Sequence, residues 1–136
     1  MSEPTAAQSA RPFNVLIVDD AATMRALIRR VVALTEVPID KLYEAKNGRD
    51  ALKILETESV QAVFTDINMP IMNGPALLRE MAKREAWNDI LRIVVSTDGS
   101  KLRRDEAREL QVALYVEKPF RPEVVRDVLV QITSPA

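Results

Sequence analysis

The fold is decided by residues 62–70, which read Ala62-Val63-Phe64-Thr65-Asp66-Ile67-Asn68-Met69-Pro70. The first four residues form a short apolar run, which is typical of a buried strand. The run stops at an acid, and Pro70 ends the extended segment because proline cannot continue a central strand. Proteins of the α/β class place ligands at the carboxyl ends of their parallel strands. Asp66 is therefore a candidate functional residue, although taken alone it fits a turn or a helix cap equally well.

The amino-acid composition excludes several classes of protein and several kinds of site. The 136 residues fit one domain, and 47% hydrophobic with 29% charged residues is typical of a globular chain. There is no Cys and no His, which excludes disulfides, Ser-His-Asp catalysis and any metal site built from those residues. A bound metal would need oxygen ligands, which Mg²⁺ prefers. The net charge of -1 argues against nonspecific nucleic-acid binding.

Signals for membranes or secretion are not evident. No apolar run approaches the length of a membrane span, and the first eleven residues lack a basic region followed by an apolar segment. We therefore expect a cytoplasmic protein without membrane insertion. Residues 1–11 are rich in Ser, Ala, Pro, Gln and Thr, so we interpret them as a flexible tail that precedes a single domain over residues 12–136.

Strand-like runs alternate with helical patterns along the rest of the chain. The other strand candidates are residues 13–18, 41–45, 90–95 and 113–116, and the second of these is weak enough to suggest a sheet edge. The helix candidates are 21–35, a segment around 51–55, one that begins at 73–75, 102–110 and 122–132. In the last of these, the residues expected to face the core are Val124, Val125, Val128, Leu129 and Ile132. The alternation predicts a doubly wound α/β fold, a parallel sheet with helices on both faces.

Polar residues follow four of the predicted strands: Asp19-Asp20, Asp66, Ser96 and Lys118. Since the carboxyl ends of parallel strands share one edge of the sheet, we expect these side chains to converge. Three carboxylates held close repel one another, and a divalent cation relieves that repulsion. Asp66 would then be an anionic nucleophile, with Lys118 and Ser96 placed to contact an incoming phosphoryl group. Each residue alone also fits a helix cap or a solvated side chain, but the coincidence favours the site.

From about residue 13 to residue 132 the sequence resembles the receiver domain of two-component response regulators. The matching motifs are the acidic pair Asp19-Asp20 at the end of residues 15–20, the segment 66–74 that begins at Asp66, the strand end 94–97, and Lys118-Pro119-Phe120. Thr23-Met24-Arg25 and Asn68-Met69-Pro70 are typical of stand-alone chemotaxis regulators of the CheY type. The resemblance implies a flavodoxin-like fold, with five parallel strands in the order 2-1-3-4-5 and five helices.

The resemblance also implies how phosphorylation would occur. Asp66 would accept a phosphoryl group from a phosphohistidine on a partner kinase, and Lys118 would contact the phosphoryl oxygens. The cofactor would be Mg²⁺, bound by Asp20, Asp66 and the backbone carbonyl of Asn68, with Asp19 acting through water. The chain would be a phosphoacceptor that catalyses its own phosphotransfer and dephosphorylation, and not an enzyme in the usual sense.

Further implied roles concern switching and the lifetime of the phosphate. Ser96, which fits the family spacing better than Thr97, would swing toward the phosphate. Tyr115 would follow it inward as an aromatic switch. Asn68 and Asp98 would flank the phosphoryl group and tune its hydrolysis, and an acidic Asp98 suggests self-dephosphorylation that is not exceptionally slow.

The partners implied by the resemblance are proteins. They are a CheA-like histidine kinase as phosphodonor, a downstream target such as a flagellar motor switch protein, and a phosphatase. The target would bind the fourth helix, the fifth strand and the last helix of a monomer. Two other classes stay open, a phosphorylation-independent interaction module and a phosphohydrolase, although the latter usually has a second Asp where this chain has Asn68.

Three departures from the family pattern stand out. Asn73 replaces the usual Asp before Gly74, which we expect to be mild because Asn also caps helices. Arg92 interrupts the fourth strand. Leu110-Gln111-Val112 stands where glycines are common before the fifth strand, so the geometry of that loop is left open.

Overall fold

The computed structural model describes residues 13–118 and 121–133, and within them five strands alternate with five α-helices. The strands are β1 (Val15–Val18), β2 (Leu42–Ala45), β3 (Ala62–Thr65), β4 (Leu91–Ser96) and β5 (Leu114–Glu117). The helices are α1 (Ala22–Leu34), α2 (Gly48–Thr57), α3 (Gly74–Ala82), α4 (Lys101–Glu109) and α5 (Pro122–Thr133). A short 3₁₀ helix, Glu85–Trp87, precedes β4. The predicted tail, residues 1–11, and the motif residues Pro119 and Phe120 lie outside the described residues.

The five strands form one parallel sheet in the order β2-β1-β3-β4-β5. This confirms the predicted α/β fold and its strand order, and it places β2 at an edge as expected. All four residues of both β1 and β3 are buried. Their continuous apolar sequences follow from this position, because a central parallel strand is covered on both faces.

Alternate residues of the strands supply two separate cores. One core packs against α1 and α5 and includes Val15, Ile17, Phe64, Ile93, Ile28, Val32 and Leu129. The other packs against α2 and α3 and includes Leu16, Val18, Val63, Val94, Ala51, Leu55, Leu77 and Met81. The sheet therefore lies between two layers of helices. The candidate residues lie in the loops at the carboxyl ends of its strands.

Short polar side chains cap the N-termini of α2 and α3. Asn73 precedes α3 and its side-chain oxygen accepts a hydrogen bond from the Ala76 amide at 2.9 Å, so the expectation that Asn replaces Asp as a cap is confirmed. Pro75 lies in the first turn of α3, where its missing N–H does no harm. Asn47 caps α2 in the same way through the Asp50 amide at 2.8 Å.

One expectation about the core side chains of α5 is wrong. Val124 was expected to face the core but is 38% exposed, because its neighbour Val125 (1% exposed) takes the inward position of α5. Leu129 is buried as expected, while the side chains of Val128 and Ile132 lie outside what the structure describes.

The missing glycine before β5 has a consequence for the loop backbone. Gln111 adopts a left-handed conformation with φ 66°, which costs a residue with a Cβ more than glycine.

Arg92 is the unusual residue of the sheet. It is 2% exposed, and its Nη1 donates to the Ile90 carbonyl at 2.7 Å. Its Nε and Nη2 have no hydrogen-bond partner among the described residues, and burial lowers the pKa of its guanidinium. A buried cation without a countercharge costs folding free energy.

Within residues 13–118 and 121–133, none of the helices has both the length and the apolar character needed to cross a membrane.

Candidate functional site

The register of the sheet brings Asp19 and Asp66 to the same level. Val18 pairs with Thr65 between β1 and β3, and each acid is the next residue along its chain. The amide of Asp66 donates to the Val18 carbonyl at 3.1 Å, which keeps the chain close to β1 after β3 has ended. The amide of Asp19 donates in turn to the Ala45 carbonyl at 3.1 Å. The predicted convergence of these two strand ends is therefore present in the backbone.

Asp19, Asp20 and Asp66 form a cluster in which one oxygen from each carboxylate lies within 4.8 Å of the others. Asp19 is 2% exposed, and its Oδ1 accepts a hydrogen bond from the Ala21 amide at 2.9 Å. Burial raises the pKa of the Asp19 carboxyl, and the charge of Asp66 adds to that rise. Carboxylate oxygens that repel one another are a fitting donor set for a hard divalent cation.

Lys118 supplies the opposing charge. Its Nζ lies 3.4 Å from Asp19 Oδ2 and 3.4 Å from Asp66 Oδ2, and its side chain is only 12% exposed. Its backbone amide donates to the Ser96 carbonyl at 2.8 Å, which continues the pairing of β4 with β5 by one residue. The site thus combines three carboxylates with one ammonium group in a partly buried position, where charges interact more strongly than in water.

Gly74 fixes the geometry behind Asp66. Its amide donates to the Ile67 carbonyl at 2.9 Å, and a Cβ on this residue would collide with the Asp66 carbonyl oxygen. The amide of Ile67 also donates to Asp66 Oδ1 at 2.6 Å. Only glycine allows the start of α3 to approach the Asp66 backbone this closely.

Ser96, Asp98 and Tyr115 form a neighbouring group at the loop between β4 and α4. Ser96 is fully buried, and its Oγ accepts a hydrogen bond from the Asp98 amide at 3.1 Å. The hydroxyl of Tyr115, which is partly buried, donates to the Asp98 carbonyl. The two residues predicted to act as a switch therefore both contact the backbone of Asp98 in this loop.

The carboxylate of Asp98 is held at the start of α4. Its Oδ1 accepts a hydrogen bond from the Ser100 amide at 3.0 Å, and its Oδ2 lies 3.8 Å from Arg103 Nε. Hydrogen bonds from Ser100 lower the pKa of this carboxyl. Asn68 is exposed in the loop after β3, two residues beyond Asp66. The roles predicted for Asn68 and Asp98 in tuning hydrolysis stay predictions.

Sequence reasoning missed the contacts of Arg25. Its Nη1 donates to the Asp19 carbonyl at 2.7 Å, and its Nε donates to Glu44 Oε1 at 2.9 Å. Arg25 therefore ties the backbone of the acidic pair to β2. The sequence offered only its place in the motif Thr23-Met24-Arg25, because a pairing across 19 residues has no local signal.

Comparisons with known proteins identify the family of this chain. Residues 15–130 match the model of the response regulator receiver domain. A chemotaxis protein CheY homolog of Campylobacter jejuni is 36% identical over 118 residues, which cover 86% of this chain and 89% of the relative. Chemotaxis protein CheY1 of Helicobacter pylori is 32% identical over 118 residues, covering 86% and 94%. The solved receiver domain of AraT, a response regulator from Geobacillus stearothermophilus, matches with a TM-score of 0.79 at 30% identity and covers 90% of this chain and 94% of that one. This chain therefore belongs to the response regulator receiver domain family.

Proposed function

We propose that this chain is a single-domain response regulator that accepts a phosphoryl group on Asp66 from a partner histidine kinase, in a Mg²⁺-dependent reaction. The observation that carries the proposal is the environment of the Asp66 carboxylate. Its Oδ2 lies 3.4 Å from Lys118 Nζ, and its oxygens share a cluster with those of Asp19 and Asp20. A nucleophile flanked by acidic oxygens and an ammonium group suits phosphoryl transfer, which depends on position and charge.

In the proposed step, a carboxylate oxygen of Asp66 bonds to the phosphorus while the bond from phosphorus to the donor imidazole nitrogen breaks. The electron pair of the broken bond leaves with the imidazole, and Asp66 becomes an acyl phosphate. Lys118 Nζ would contact the phosphoryl oxygens and balance their charge. Asp19, Asp20, Asp66 and the carbonyl of Asn68 would hold Mg²⁺, which supplies positive charge against the phosphoryl oxygens when bound.

The proposed output surface is the face formed by α4, β5 and α5. Phosphorylation adds close to two negative charges at the sheet edge, and Ser96 with Tyr115 would relay that change through the β4–α4 loop. The movement needs a weakly held element, and α4 has Ala107 as its one buried residue. Because the matched relatives are named chemotaxis proteins, we propose chemotaxis or motility as the pathway.

The partners in that pathway follow from the same proposal. A CheA-like kinase would donate the phosphoryl group, a flagellar motor switch protein would bind the output face, and a phosphatase would shorten the signal. The chain would act in the cytoplasm as a monomeric phosphoacceptor and would turn over only its own phosphate.

The lifetime of the phosphate depends in this proposal on Asn68 and Asp98. Asp98 would have to leave its contacts with Ser100 and Arg103 to orient a water molecule. We expect Asp98→Ala to lengthen the acyl-phosphate lifetime, measured by the decay of the phosphorylated mass after the donor is removed. An unchanged lifetime would exclude this role for Asp98.

The decisive test is incubation with acetyl phosphate and Mg²⁺, with intact mass spectrometry of wild type and Asp66→Asn. We expect the mass of one phosphoryl group on wild type, stable for seconds to minutes, and none on the variant. Continuous phosphate release would indicate a phosphohydrolase. No reaction in either protein would favour a phosphorylation-independent interaction module.

A further inference from the structure

Arg104 in α4 makes three contacts outside its own helix. Its Nη2 lies 2.9 Å from Glu117 Oε1 at the end of β5, and its Nε donates to the Gly99 carbonyl at 3.3 Å. Its guanidinium carbon lies 4.8 Å from the centre of the Tyr115 ring. One side chain therefore joins the β4–α4 loop, the end of β5 and the face of the predicted switch residue.

The Tyr115 ring is held from two directions. Its hydroxyl donates to the carbonyl of Asp98 in the loop, and Arg104 covers its face. Stacking of a guanidinium on an aromatic ring is favourable because the ring face carries partial negative charge. Any rotation of the ring would have to break the hydroxyl contact and lose the stacking on Arg104.

Gly99 contributes the space that this arrangement needs. A Cβ on Gly99 would collide with the carboxylate of Glu117. The carboxylate is the free end of a flexible side chain, so a methyl group at position 99 would displace it rather than the loop. The glycine thus keeps the Glu117 carboxylate within reach of Arg104.

The other ion pairs of α4 do not involve β5, and one of them joins Arg103 Nε to Asp98 Oδ2 in the β4–α4 loop at 3.8 Å. Lys101 and Arg108 pair with Asp105 within the helix, at 2.7 and 3.6 Å. Glu106 pairs with Arg103 in the helix and with Arg79 in α3. Among the described ion pairs, the one between Arg104 and Glu117 is the pair that joins α4 to β5.

We propose that Arg104 and Glu117 form a latch that holds the Tyr115 ring against the β4–α4 loop and so sets how readily the output face can rearrange. The inference rests on the proposed function, in which Tyr115 reports phosphorylation of Asp66. Arg104 and Glu117 are positioning residues, since neither touches the site at Asp66. Both side chains are partly exposed, 41% and 52%, so the latch is weak enough to open and is screened by salt.

The test follows the Tyr115 ring in the unphosphorylated protein by ¹⁹F NMR after 3-fluorotyrosine labelling. The chain has two tyrosines, and Tyr43→Phe assigns the signals. The variants are Arg104→Met, Glu117→Gln, their double variant and Gly99→Ala, with Arg108→Met as the matched control on the same helix. We expect each latch variant to raise, roughly threefold to tenfold, the population of ring orientations in which Tyr115 has left the Asp98 carbonyl and Arg104. We expect 1 M salt to do the same to wild type.

Two further results distinguish a latch from a general loosening of α4. The double variant is expected to match Arg104→Met alone, because Glu117 acts through Arg104, and Arg108→Met is expected to match wild type. An unchanged ring population in the latch variants, or an equal rise in Arg108→Met, would overturn the inference. Phosphorylation of each variant by acetyl phosphate is measured separately by mass, so a failure of the Asp66 chemistry does not count against the latch.

Discussion

The centre of the sheet and the edge formed by α4 and β5 are stabilised in different ways. In β1 and β3 every residue is buried, and α3 buries Leu77, Leu78 and Met81 against them. In β5 only Val116 is buried, and in α4 only Ala107. This edge has few fully buried residues and several partly exposed ion pairs, which are individually weak. The carboxylates of Asp19 and Asp66 follow the two fully buried strands, whereas Lys118 follows the less buried β5, so the candidate site joins the well-packed centre to the more exposed edge.

The largest expected effect tests the central strands. Phe64 is among the largest fully buried side chains, so Phe64→Ala should lower the free energy of unfolding by about 3–5 kcal/mol through lost burial and a cavity. Leu102 in α4 is 76% exposed, so Leu102→Ala should change it by no more than about 0.5 kcal/mol. Urea denaturation of both variants checks the contrast. Similar losses in the two variants would mean that the centre and the edge are equally anchored.

Arg92 is the exception within the centre, and its replacement should stabilise the protein. Its guanidinium is buried with two unpaired nitrogens among the described residues, whereas methionine fills a similar length without a charge. We expect Arg92→Met to raise the free energy of unfolding by about 1–3 kcal/mol, measured by urea denaturation. Arg108→Met, at a position whose side chain is 81% exposed, is the control and should have little effect. A loss of stability in Arg92→Met would show that the buried charge has a partner.

Replacing Asp19 tests how much folding stability is lost by placing an ionised carboxylate in the site. Burial raises its pKa above the ordinary 3.8, so the folded state binds this proton more tightly and ionisation of Asp19 costs stability as pH rises through its folded pKa. Asp19→Asn removes that cost and keeps an oxygen for the Ala21 amide. We expect the variant to be more stable at pH 7 without divalent cations, by about 1 kcal/mol.

The pH dependence supplies the check on that prediction. The stability advantage of Asp19→Asn should vanish below about pH 3.8, where Asp19 is protonated in both states. Urea denaturation in EDTA from pH 3 to pH 7 measures it. An advantage that grows as the pH falls would contradict the assignment of the raised pKa to Asp19.

The smallest expected effect concerns the ion pairs of the edge. Glu106 accepts hydrogen bonds from Arg79 at 2.5 Å and from Arg103 at 2.8 Å. Because these pairs are partly exposed, Glu106→Gln should cost less than about 1 kcal/mol at low salt. The loss should disappear near 1 M salt, where charges are screened over about 3 Å. A larger loss that persists in salt would show that α4 is anchored by more than surface charge.

The sequence predicted the fold well because its signals are local. The apolar run that ends at Asp66 and the alternation of strand-like and helical patterns along the chain predict a parallel sheet. Parallel strands bring their carboxyl ends together. That reasoning predicted that Asp19, Asp20, Asp66 and Lys118 converge. In the structure the three carboxylates lie within 4.8 Å of one another, and Lys118 Nζ lies 3.4 Å from those of Asp19 and Asp66.

Features that depend on distant partners could not be predicted in this way. The contacts of Arg25 with Glu44 and of Arg104 with Glu117 join residues far apart in sequence. Positive φ at Ile71 and Gln111, where the chain has no glycine, likewise runs against the local preference of these residues. Ile71 lies in the loop between β3 and α3, so part of this cost falls beside the site.

Hydrogen exchange of the amides with and without acetyl phosphate and Mg²⁺, in wild type and in Asp66→Asn, measures whether phosphorylation at Asp66 rearranges the edge formed by α4 and β5. We predict that phosphorylation changes the exchange of residues 98–117, which span the β4–α4 loop, α4 and β5, and leaves β1 and the body of β3 unchanged. Asp66→Asn should show no change at all. Equal changes in β1 and β3, or no change at residues 98–117 when the mass shows a phosphoryl group on Asp66, would contradict the claim that a rigid site controls a loosely held edge.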